Sequence, residues 1–273
     1  MVISLEDEGI IIIKFGGSAI TNKNVYKSVR KDVIKMAARE LREAIAVKPY
    51  LKTIIVLGGG SFGHPLAKKY KLQDGIISEE SLIGISKTID SMRELSLIVS
   101  NMLREEKLKV VPIQPSSIAI NKNGKLHTIY LETLKKFLEI GLIPILWGDV
   151  VYDVEKGCSI LSGDEIVSKI SLELNVSKVI YGLEVDGIFT DPIKLKGLVN
   201  VINDKNLHLL QKSVGESKGI DVTGGMIKKI DETLKIYQRG IPVFFINLTK
   251  PNNLYRVLVK NENVGTLLFK GSL

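Results

Sequence analysis

The sequence predicts an α/β protein in which a mostly parallel central sheet lies between two layers of helices, with β-hairpins added. Short apolar runs alternate along the chain with longer amphipathic stretches, and apolar residues in the longer stretches recur at helical spacing. Two glycine-containing turns interrupt this alternation. Strands that alternate with helices pair in parallel, because each helix carries the chain back across the sheet. A three-layer αβα sandwich follows.

The individual elements can be placed in chain order. Apolar runs that are typical of strands lie at residues 10–15, 53–57, 109–113, 142–147, 176–183, 241–246 and 265–269. An early helix is indicated by apolar residues that repeat every four positions, namely Val29, Val33, Ala37, Leu41 and Ile45. A second, longer helix is expected where one face collects Leu82, Ile85, Ile89, Met92, Ser96, Val99 and Leu103. Its apolar faces could pack in the core, line a ligand pocket or form a dimer interface.

Two hairpins are expected outside the main sheet. Asn123-Gly124 separates the apolar runs 118–120 and 126–129, and Asn-Gly is the strongest two-residue hairpin signal. A second turn is expected at Glu155-Lys156-Gly157. We place a boundary between two closely packed lobes near residue 175, which gives an N-terminal lobe of 1–175 and a C-terminal lobe of 176–273.

Composition narrows the class of protein. The chain has 273 residues, 45% of them hydrophobic, with a single cysteine, Cys158, so no internal disulfide can form. Neither a signal peptide nor an apolar run long enough to span a bilayer is evident, so we expect a cytoplasmic protein without a membrane partner. The net charge is +8, but the basic residues are dispersed. We therefore expect small anionic ligands and no nucleic acid.

Glycine-rich loops are the strongest functional signal. Residues 58–65 read Gly-Gly-Gly-Ser-Phe-Gly-His-Pro directly after a predicted strand. Glycine pairs also occur in Gly16-Gly17-Ser18 and in Thr223-Gly224-Gly225-Met226, each close to lysines. Bare backbone N–H groups in such loops bind phosphate. Three loops with nearby lysines indicate more than one phosphate group, and therefore phosphoryl transfer.

Cationic residues accompany these loops. Lys14 ends the first predicted strand, at the sheet edge where α/β proteins bind ligands, and its contact with a phosphate is favoured over a solvated strand end. Lys23 lies in a polar loop and would by itself be read as a surface lysine. His64 is one of three histidines. We expect the loop to present His64, followed by Pro65, to a phosphate oxygen.

Two carboxylates and a late glycine loop complete the candidate set. Asp164 lies at the start of a predicted helix, where it could belong to the N-terminal cap, orient active-site lysines, or do both. Asp186 would ordinarily be explained as a turn residue, but because it follows a strand it could also touch a nucleotide. Gly225 and Lys229 begin an amphipathic helix whose N–H donors and dipole would favour an anion.

Other site classes were weighed against these residues. Gly58, Gly60 and Gly63 satisfy G-x-G-x-x-G, so a dinucleotide-binding oxidoreductase stays open, although it accounts for only one of the glycine loops. The Walker A sequence, the protein-kinase set, G-x-S-x-G and a Cys/His metal cluster are absent from the sequence.

The ordered motifs resemble those of the amino acid kinase superfamily, from about residue 10 to 269. The resemblance is carried by Lys-x-Gly-Gly-Ser, Gly-Gly-Gly, Ser-Gly-Asp, Val-Asp-Gly and a late Thr-Gly-Gly-Met-x-x-Lys. Within it, Gly-x-Phe-Gly-His-Pro, Gln114-Pro115-Ser116-Ser117 and residues 221–226 resemble the isopentenyl phosphate kinases. This implies that the N-terminal lobe binds the phosphate acceptor and the C-terminal lobe binds the nucleotide. It also implies a homodimer that transfers phosphate from ATP to a small phosphate monoester.

The resemblance also implies residue roles. The implied catalytic residues are Lys14, Lys23, His64, Asp164 and Lys229. Those implied to contact ATP are Lys14, Gly16, Gly17, Ser18, Gly60, Asp186, Gly225 and Lys229. Those implied to bind the acceptor are Gly59, Gly63, His64 and Gly163. Magnesium is expected to bridge the nucleotide phosphates, and no protein residue is assigned to it.

The expected reaction is ATP + isopentenyl phosphate → ADP + isopentenyl diphosphate. Its acceptor is already an anion, so positioning and charge neutralisation matter more than a general base. Alternatives remain: a related kinase acting on fosfomycin, UMP or an amino acid carboxylate, an NAD(P)-dependent oxidoreductase, or a non-catalytic nucleotide-binding regulator.

Overall fold

The computed structural model describes residues 9–22, 24–210 and 225–271, with the side chains of 225–228 left out of the description. Its strands are β1 (Ile10–Phe15), β2 (Lys52–Leu57), β3 (Val110–Pro112), β4 (Ala119–Lys122), β5 (Lys125–Ile129), β6 (Ile143–Trp147), β7 (Asp149–Asp153), β8 (Gly157–Leu161), β9 (Val176–Leu183), β10 (Phe189–Asp191), β11 (Lys196–Leu198), β12 (Val201–Ile202), β13 (Val243–Asn247) and β14 (Thr266–Leu268). Its helices are α1 (Gly17–Ile20), α2 (Lys31–Val47), α3 (Gly60–Lys69), α4 (Glu79–Glu105), α5 (Glu132–Glu139), α6 (Gly163–Glu173), α7 (Gly225–Gln238) and α8 (Asn253–Lys260), with a 3₁₀ turn at Pro115–Ser117.

An eight-stranded sheet forms the centre, in the order β12-β14-β13-β9-β1-β2-β6-β3. Among its described strand pairs, the β13–β14 pair is antiparallel and the others are parallel. The predicted α/β class with a mostly parallel sheet is confirmed, and each run predicted as a strand forms one, with ends shifted by two residues at most. The lobe boundary at residue 175 stays a prediction; the sheet continues across it, because β1 pairs with β2 and with β9.

Strict alternation along β1 divides the core into two layers. Ile11, Ile13 and Phe15 face a cluster that includes residues of α2, α4 and α8, whereas Ile12 faces the cluster of α5, α6 and α7. This is the period-two pattern of a strand covered on both faces. Lys14 therefore points to the side of the sheet that carries α6 and α7.

Helix α4 departs from the predicted face at its N-terminal end. Met92, Val99 and Leu103 are buried as expected, but Leu82 is 52% exposed. The buried stripe there consists of small residues such as Ser81 and Gly84. A β-carbon built on Gly84 would lie 2.4 Å from Cβ of Tyr70, so only glycine allows α4 to approach the end of α3 this closely.

Both predicted hairpins form, and they join in a four-stranded sheet of order β5-β4-β7-β8. Asn123 and Gly124 both have positive φ, 49° and 74°, as the β4–β5 turn requires. The buried carboxylate of Asp153 accepts hydrogen bonds from the backbone N–H groups of both turns and from the Ser159 hydroxyl. One side chain thereby fixes the two hairpins to each other. No helix in the described part of the chain is both long and apolar enough to cross a membrane.

Candidate active site

The candidate site lies at the C-terminal edge of the central sheet, where two of the glycine loops predicted to bind phosphate, those after β1 and β2, meet. Gly16 extends β1 by donating to the carbonyl of Gly182 at 2.8 Å, and Gly58 donates to the carbonyl of Phe15 at 2.9 Å. A β-carbon on Gly17 would lie 2.5 Å from the backbone nitrogen of Gly60. The loops after β1 and β2 therefore touch backbone to backbone, which side chains larger than hydrogen would prevent.

Gly60 is the position where this junction most requires glycine. Its φ is +46°, and a β-carbon there would lie 2.2 Å from Oγ1 of Thr21. That same hydroxyl donates to the carbonyl of Gly17 at 2.7 Å and accepts from the backbone N–H of Ser61 at 3.0 Å. Thr21, which the sequence reasoning did not single out, thus ties the first glycine loop to the N-terminus of α3.

Lys14, Asp164 and Lys229 form the charged centre of the site. Nζ of Lys14 lies 2.5 Å from Oδ1 of Asp164. Nζ of Lys229 lies 3.1 Å from the same oxygen and 3.3 Å from Oδ2. Strand β1, helix α6 and helix α7 each supply one of the three side chains. One carboxylate therefore holds two ammonium groups that are distant in sequence.

Burial and mutual charge shift the ionisation of this cluster. Burial lowers the pKa of Lys14 to about 7, opposed by Asp164 and assisted by the like charge of Lys229. Burial would raise the pKa of Asp164, but the two lysines outweigh it and lower that pKa to about 2. The carboxylate is therefore ionised at neutral pH, while Lys14 is poised to change its charge with its surroundings.

Helix α6 brings Asp164 to this edge through a capping box. The hydroxyl of Ser162 accepts from the backbone N–H of Glu165 at 3.2 Å, and the Glu165 carboxylate accepts from the Ser162 N–H at 3.1 Å. A β-carbon on Gly163 would lie 3.3 Å from Cε of Lys14 and 3.3 Å from the carbonyl oxygen of Leu57. This segment therefore serves both purposes considered for it: Ser162 caps the helix, and Asp164 pairs with the two lysines.

His64 lies near the second glycine loop, but not as the sequence predicted. Helix α3 begins at Gly60, so His64 and Pro65 belong to its first turns and not to a loop. The expected loop placement was wrong because the positive φ of Gly60 lets the helix begin immediately after the turn. His64 is exposed, and a β-carbon on Gly59 would lie 3.2 Å from its Cδ2 and 3.5 Å from its Nε2. The imidazole therefore covers Gly59 beside the helix N-terminus.

The arrangement suits two anions placed end to end. The N-termini of α3 and α6 both face this edge and carry partial positive charge. Lys14 and Lys229 lie on Asp164 in the first turn of α6, and His64 belongs to α3. Cationic and N–H donors at one edge can hold phosphate groups and neutralise charge that develops between them.

Comparison with known proteins agrees with this geometry. A sequence model of the amino acid kinase family matches residues 9–247. The chain belongs to the amino acid kinase family. It is 35% identical to the isopentenyl phosphate kinase of Methanocaldococcus jannaschii, over 92% of this chain and 95% of that protein. It is 32% identical to the isopentenyl phosphate kinase of Methanothermobacter thermautotrophicus, over 94% and 98% of the two chains. A crystal structure described as isopentenyl phosphate kinase superposes with a TM-score of 0.80 at 31% identity, covering 95% of this chain and 99% of that one.

The structure locates some of the other residues predicted for this amino acid kinase site, and some lie outside the described residues. Ser18 is half-buried in α1, beside the first glycine loop, and Gly63 lies in α3 against Met92. Gly225 begins α7, one turn before Lys229, as predicted. Lys23 and residues 221–224 lie outside the described residues.

Asp186 belongs to a second polar group at the same edge, after β9. Its Oδ1 accepts from Nδ2 of Asn247 at 3.0 Å and from Nζ of Lys250 at 2.7 Å. These bonds lower the pKa of Asp186, that from Lys250 most. Asn247 and Lys250 were not found from the sequence, although both follow a predicted strand whose C-terminal end should reach this edge.

Tyr181 was also missed. It is fully buried in β9, and the register of the sheet places it directly beside Lys14. Its only signal in the sequence was a phenolic hydroxyl within the apolar run 179–183.

Proposed function

We propose that this protein transfers the terminal phosphoryl group of ATP to isopentenyl phosphate, giving ADP and isopentenyl diphosphate. The observation that carries the proposal is the pairing of Lys14 and Lys229 on Asp164 at a glycine-lined sheet edge. A kinase whose acceptor is an anion must overcome repulsion between two phosphates, and this cluster concentrates positive charge where they would meet. The two relatives and the solved structure described above carry the name of this activity.

In this proposal the residues divide between the two reactants. Lys14, Gly16, Gly17, Ser18, Gly60, Gly225 and Lys229 contact the nucleotide phosphates, and Asp186 lies beside the nucleotide. Gly59, Gly63, His64 and Gly163 hold the acceptor phosphate. Asp164 keeps the lysines charged and aimed, and Lys23 stabilises the group in transfer. No side chain has to remove a proton, because the attacking phosphate oxygen is already ionised.

The lowered pKa of Lys14 fits this role. In the free protein burial disfavours the ammonium form, so a neutral fraction exists near neutral pH. Nucleotide phosphates beside Nζ would favour the charged form and draw Lys14 fully into its protonated state. Lys14 then carries its full positive charge when the nucleotide is bound.

Magnesium fits this site as an ion carried by the nucleotide. Both oxygens of Asp164 already accept from lysines, and no group of three or more potential metal-ligating residues occurs among the described residues. Phosphate oxygens are hard ligands that suit Mg²⁺, which would supply further charge neutralisation when bound.

We also propose a homodimer and a cytoplasmic location.

A coupled assay of ADP release tests the function. Purified protein with ATP and Mg²⁺ should release ADP on addition of isopentenyl phosphate, with kcat/KM at least 100-fold above that for N-acetylglutamate, UMP or fosfomycin. Phosphorus NMR should show a diphosphate product. A higher kcat/KM for one of the other acceptors would overturn the substrate assignment while keeping the kinase.

The alternatives are disfavoured by the same observations. The G-x-G-x-x-G match at Gly58, Gly60 and Gly63 is explained by the close approach of the β1 and β2 loops and by the start of α3. The relatives named above are kinases and not oxidoreductases. Titration with NAD(P)H should show no saturable change in the fluorescence of the reduced nicotinamide.

A further inference from the structure

Tyr181 occupies a central place in a row of residues that crosses the sheet. The register pairs Tyr181 on β9 with Lys14 on β1 and with Phe245 on β13. Residues paired in this way point to the same face of a sheet. Lys14 is therefore a charged residue in an otherwise apolar row, and the side chain beside it is an aromatic ring.

The ring lies within cation–π distance of both lysines. Nζ of Lys14 is 5.7 Å from the centroid of the Tyr181 ring, and Nζ of Lys229 is 5.2 Å from it. Ammonium groups within about 6 Å of a ring centroid are attracted to its negative face. One ring thus contacts the two cations that Asp164 also holds.

Phe245 fixes the orientation of this ring. The rings of Tyr181 and Phe245 stack with centroids 5.3 Å apart and planes inclined by 11°. Both residues are almost completely buried, so neither ring can turn freely. The face that Tyr181 offers to the lysines is therefore set by packing.

The carboxylate beside Lys14 does not by itself balance the positive charge of the cluster, so an additional attraction from the Tyr181 ring can contribute. Asp164 on α6 supplies one negative charge for two ammonium groups, Lys14 on β1 and Lys229 on α7. Burial, and after it the negative charges of Asp164 and of Glu232 on α7, raise the pKa of the Tyr181 phenol well above the ordinary value. The phenol is therefore neutral, and its attraction for the cations comes from the ring face.

We propose that Tyr181 is a positioning residue whose ring stabilises the ammonium form of Lys14 and holds Lys14 and Lys229 in place beside Asp164 before the nucleotide binds. The ring replaces part of the hydration that burial removes from the two cations. Its effect on turnover rests on the proposed kinase function, but its effect on the lysines of the free protein does not.

Three variants separate the ring from its packing. Tyr181→Phe keeps the ring, Tyr181→Leu removes it, and Phe245→Leu removes a stacked ring that contacts neither lysine ammonium group among the described contacts. We expect Tyr181→Leu to lower kcat about tenfold, whereas Tyr181→Phe stays within about twofold of the parent. Phe245→Leu should lose about as much thermal stability as Tyr181→Leu does, but its kcat should fall less than that of Tyr181→Leu.

Lysine titration in the nucleotide-free protein is the decisive measurement. NMR of isotopically labelled lysine side chains follows the ionisation of Lys14 directly. Because the ring favours the charged form, Tyr181→Leu should move the midpoint of Lys14 to lower pH by about half a unit to one unit. Tyr181→Phe should leave it near the parental value, and Phe245→Leu should shift it by less than the ring-free variants, because the Tyr181 ring remains while its packing loosens. Tyr181→Met serves as the second ring-free variant if the leucine variant does not fold.

The outcomes distinguish the two proposals. An unchanged Lys14 midpoint in the ring-free variants, or an equal shift in Phe245→Leu, would overturn the role of Tyr181. A shifted midpoint in a protein that fails to phosphorylate isopentenyl phosphate would support the positioning role and reject the substrate.

Discussion

Lys14 and Lys229 donate to the same carboxylate oxygen of Asp164, one from strand β1 and the other from helix α7. Two cations on one carboxylate leave a net positive charge in a place from which water is largely excluded. Such a site binds an anion strongly, because the anion supplies the charge that the protein lacks.

Removing the charge of Asp164 should disable the site without unfolding the protein. In Asp164→Asn the two ammonium groups lose their counter-charge and repel each other, so we expect kcat to fall on the order of 100-fold. The loss should be measured in the ADP-release assay at saturating substrates.

The neighbouring residue gives a matched control for that variant. Glu165 lies on the same first turn of α6 and accepts a capping hydrogen bond, which a glutamine oxygen can also accept. Glu165→Gln should keep kcat within about threefold. Comparable losses in Asp164→Asn and Glu165→Gln would mean that the helix start, and not the lysine pairing, limits the reaction.

His64 is predicted to act on the acceptor and not on ATP. His64→Ala should lower turnover on the order of 100-fold and raise KM for isopentenyl phosphate, since an imidazole at the start of α3 would be lost from the acceptor phosphate. ATP binding, measured by calorimetry, should persist. His127→Ala, an exposed change on the β4–β5 hairpin, is the control and should behave as the parent. Near-parental activity of His64→Ala would remove this residue from the site.

The pH dependence of the reaction should report the ionisation of Lys14. Burial lowers the pKa of Lys14 to about 7, and the charged form is the one that binds phosphate. As pH rises through about 7, the free protein loses this charge, so kcat/KM should fall on the alkaline side. Phosphates of the bound nucleotide favour the ammonium form, so the corresponding fall in kcat should lie at higher pH.

Lys14→Arg provides the control for this assignment. A guanidinium stays charged throughout the accessible range, so whatever activity remains should lack the alkaline fall near pH 7. If the fall persists in Lys14→Arg, another group is responsible for it.

Asp153 is predicted to support stability and not catalysis. Although burial opposes it, the hydrogen bonds from both hairpin turns and Ser159 hold the pKa of Asp153 well below its usual range. A depressed pKa contributes stability that is present above the unfolded value and is lost as pH falls through the folded value. Asp153→Asn should therefore lower the free energy of unfolding by about 2–4 kcal/mol at pH 7, with a smaller difference near pH 3.

Chemical denaturation at both pH values measures this effect. Turnover at 25 °C should stay within about threefold of the parent, because Asp153 contacts the hairpins and none of the proposed site residues in the described structure. A large loss of kcat with unchanged stability would place Asp153 in the site after all.

Much of the fold could be predicted from the sequence because its signals are local. The strand β1, the Asn123-Gly124 turn and the amphipathic helix α2 each depend on neighbouring residues, and all were found. The N-terminal face of α4 was mispredicted, because the small residue Gly84 faces Tyr70 of another element while Leu82 faces outward. Hydrophobicity along one helix carries no information about how closely a second helix approaches.

The sequence by itself determined the parallel α/β architecture, the glycine loops and the types of charged residue beside them, since each is written in short spacings. Only the tertiary structure decided that Lys14 and Lys229 share one oxygen of Asp164, and that the Tyr181 ring lies beside both. Those relationships depend on strand order and register, which bring residues from distant segments into contact. Burial at that point then shifts the ionisation of Lys14, because the dielectric environment belongs to the assembled core and to no segment alone.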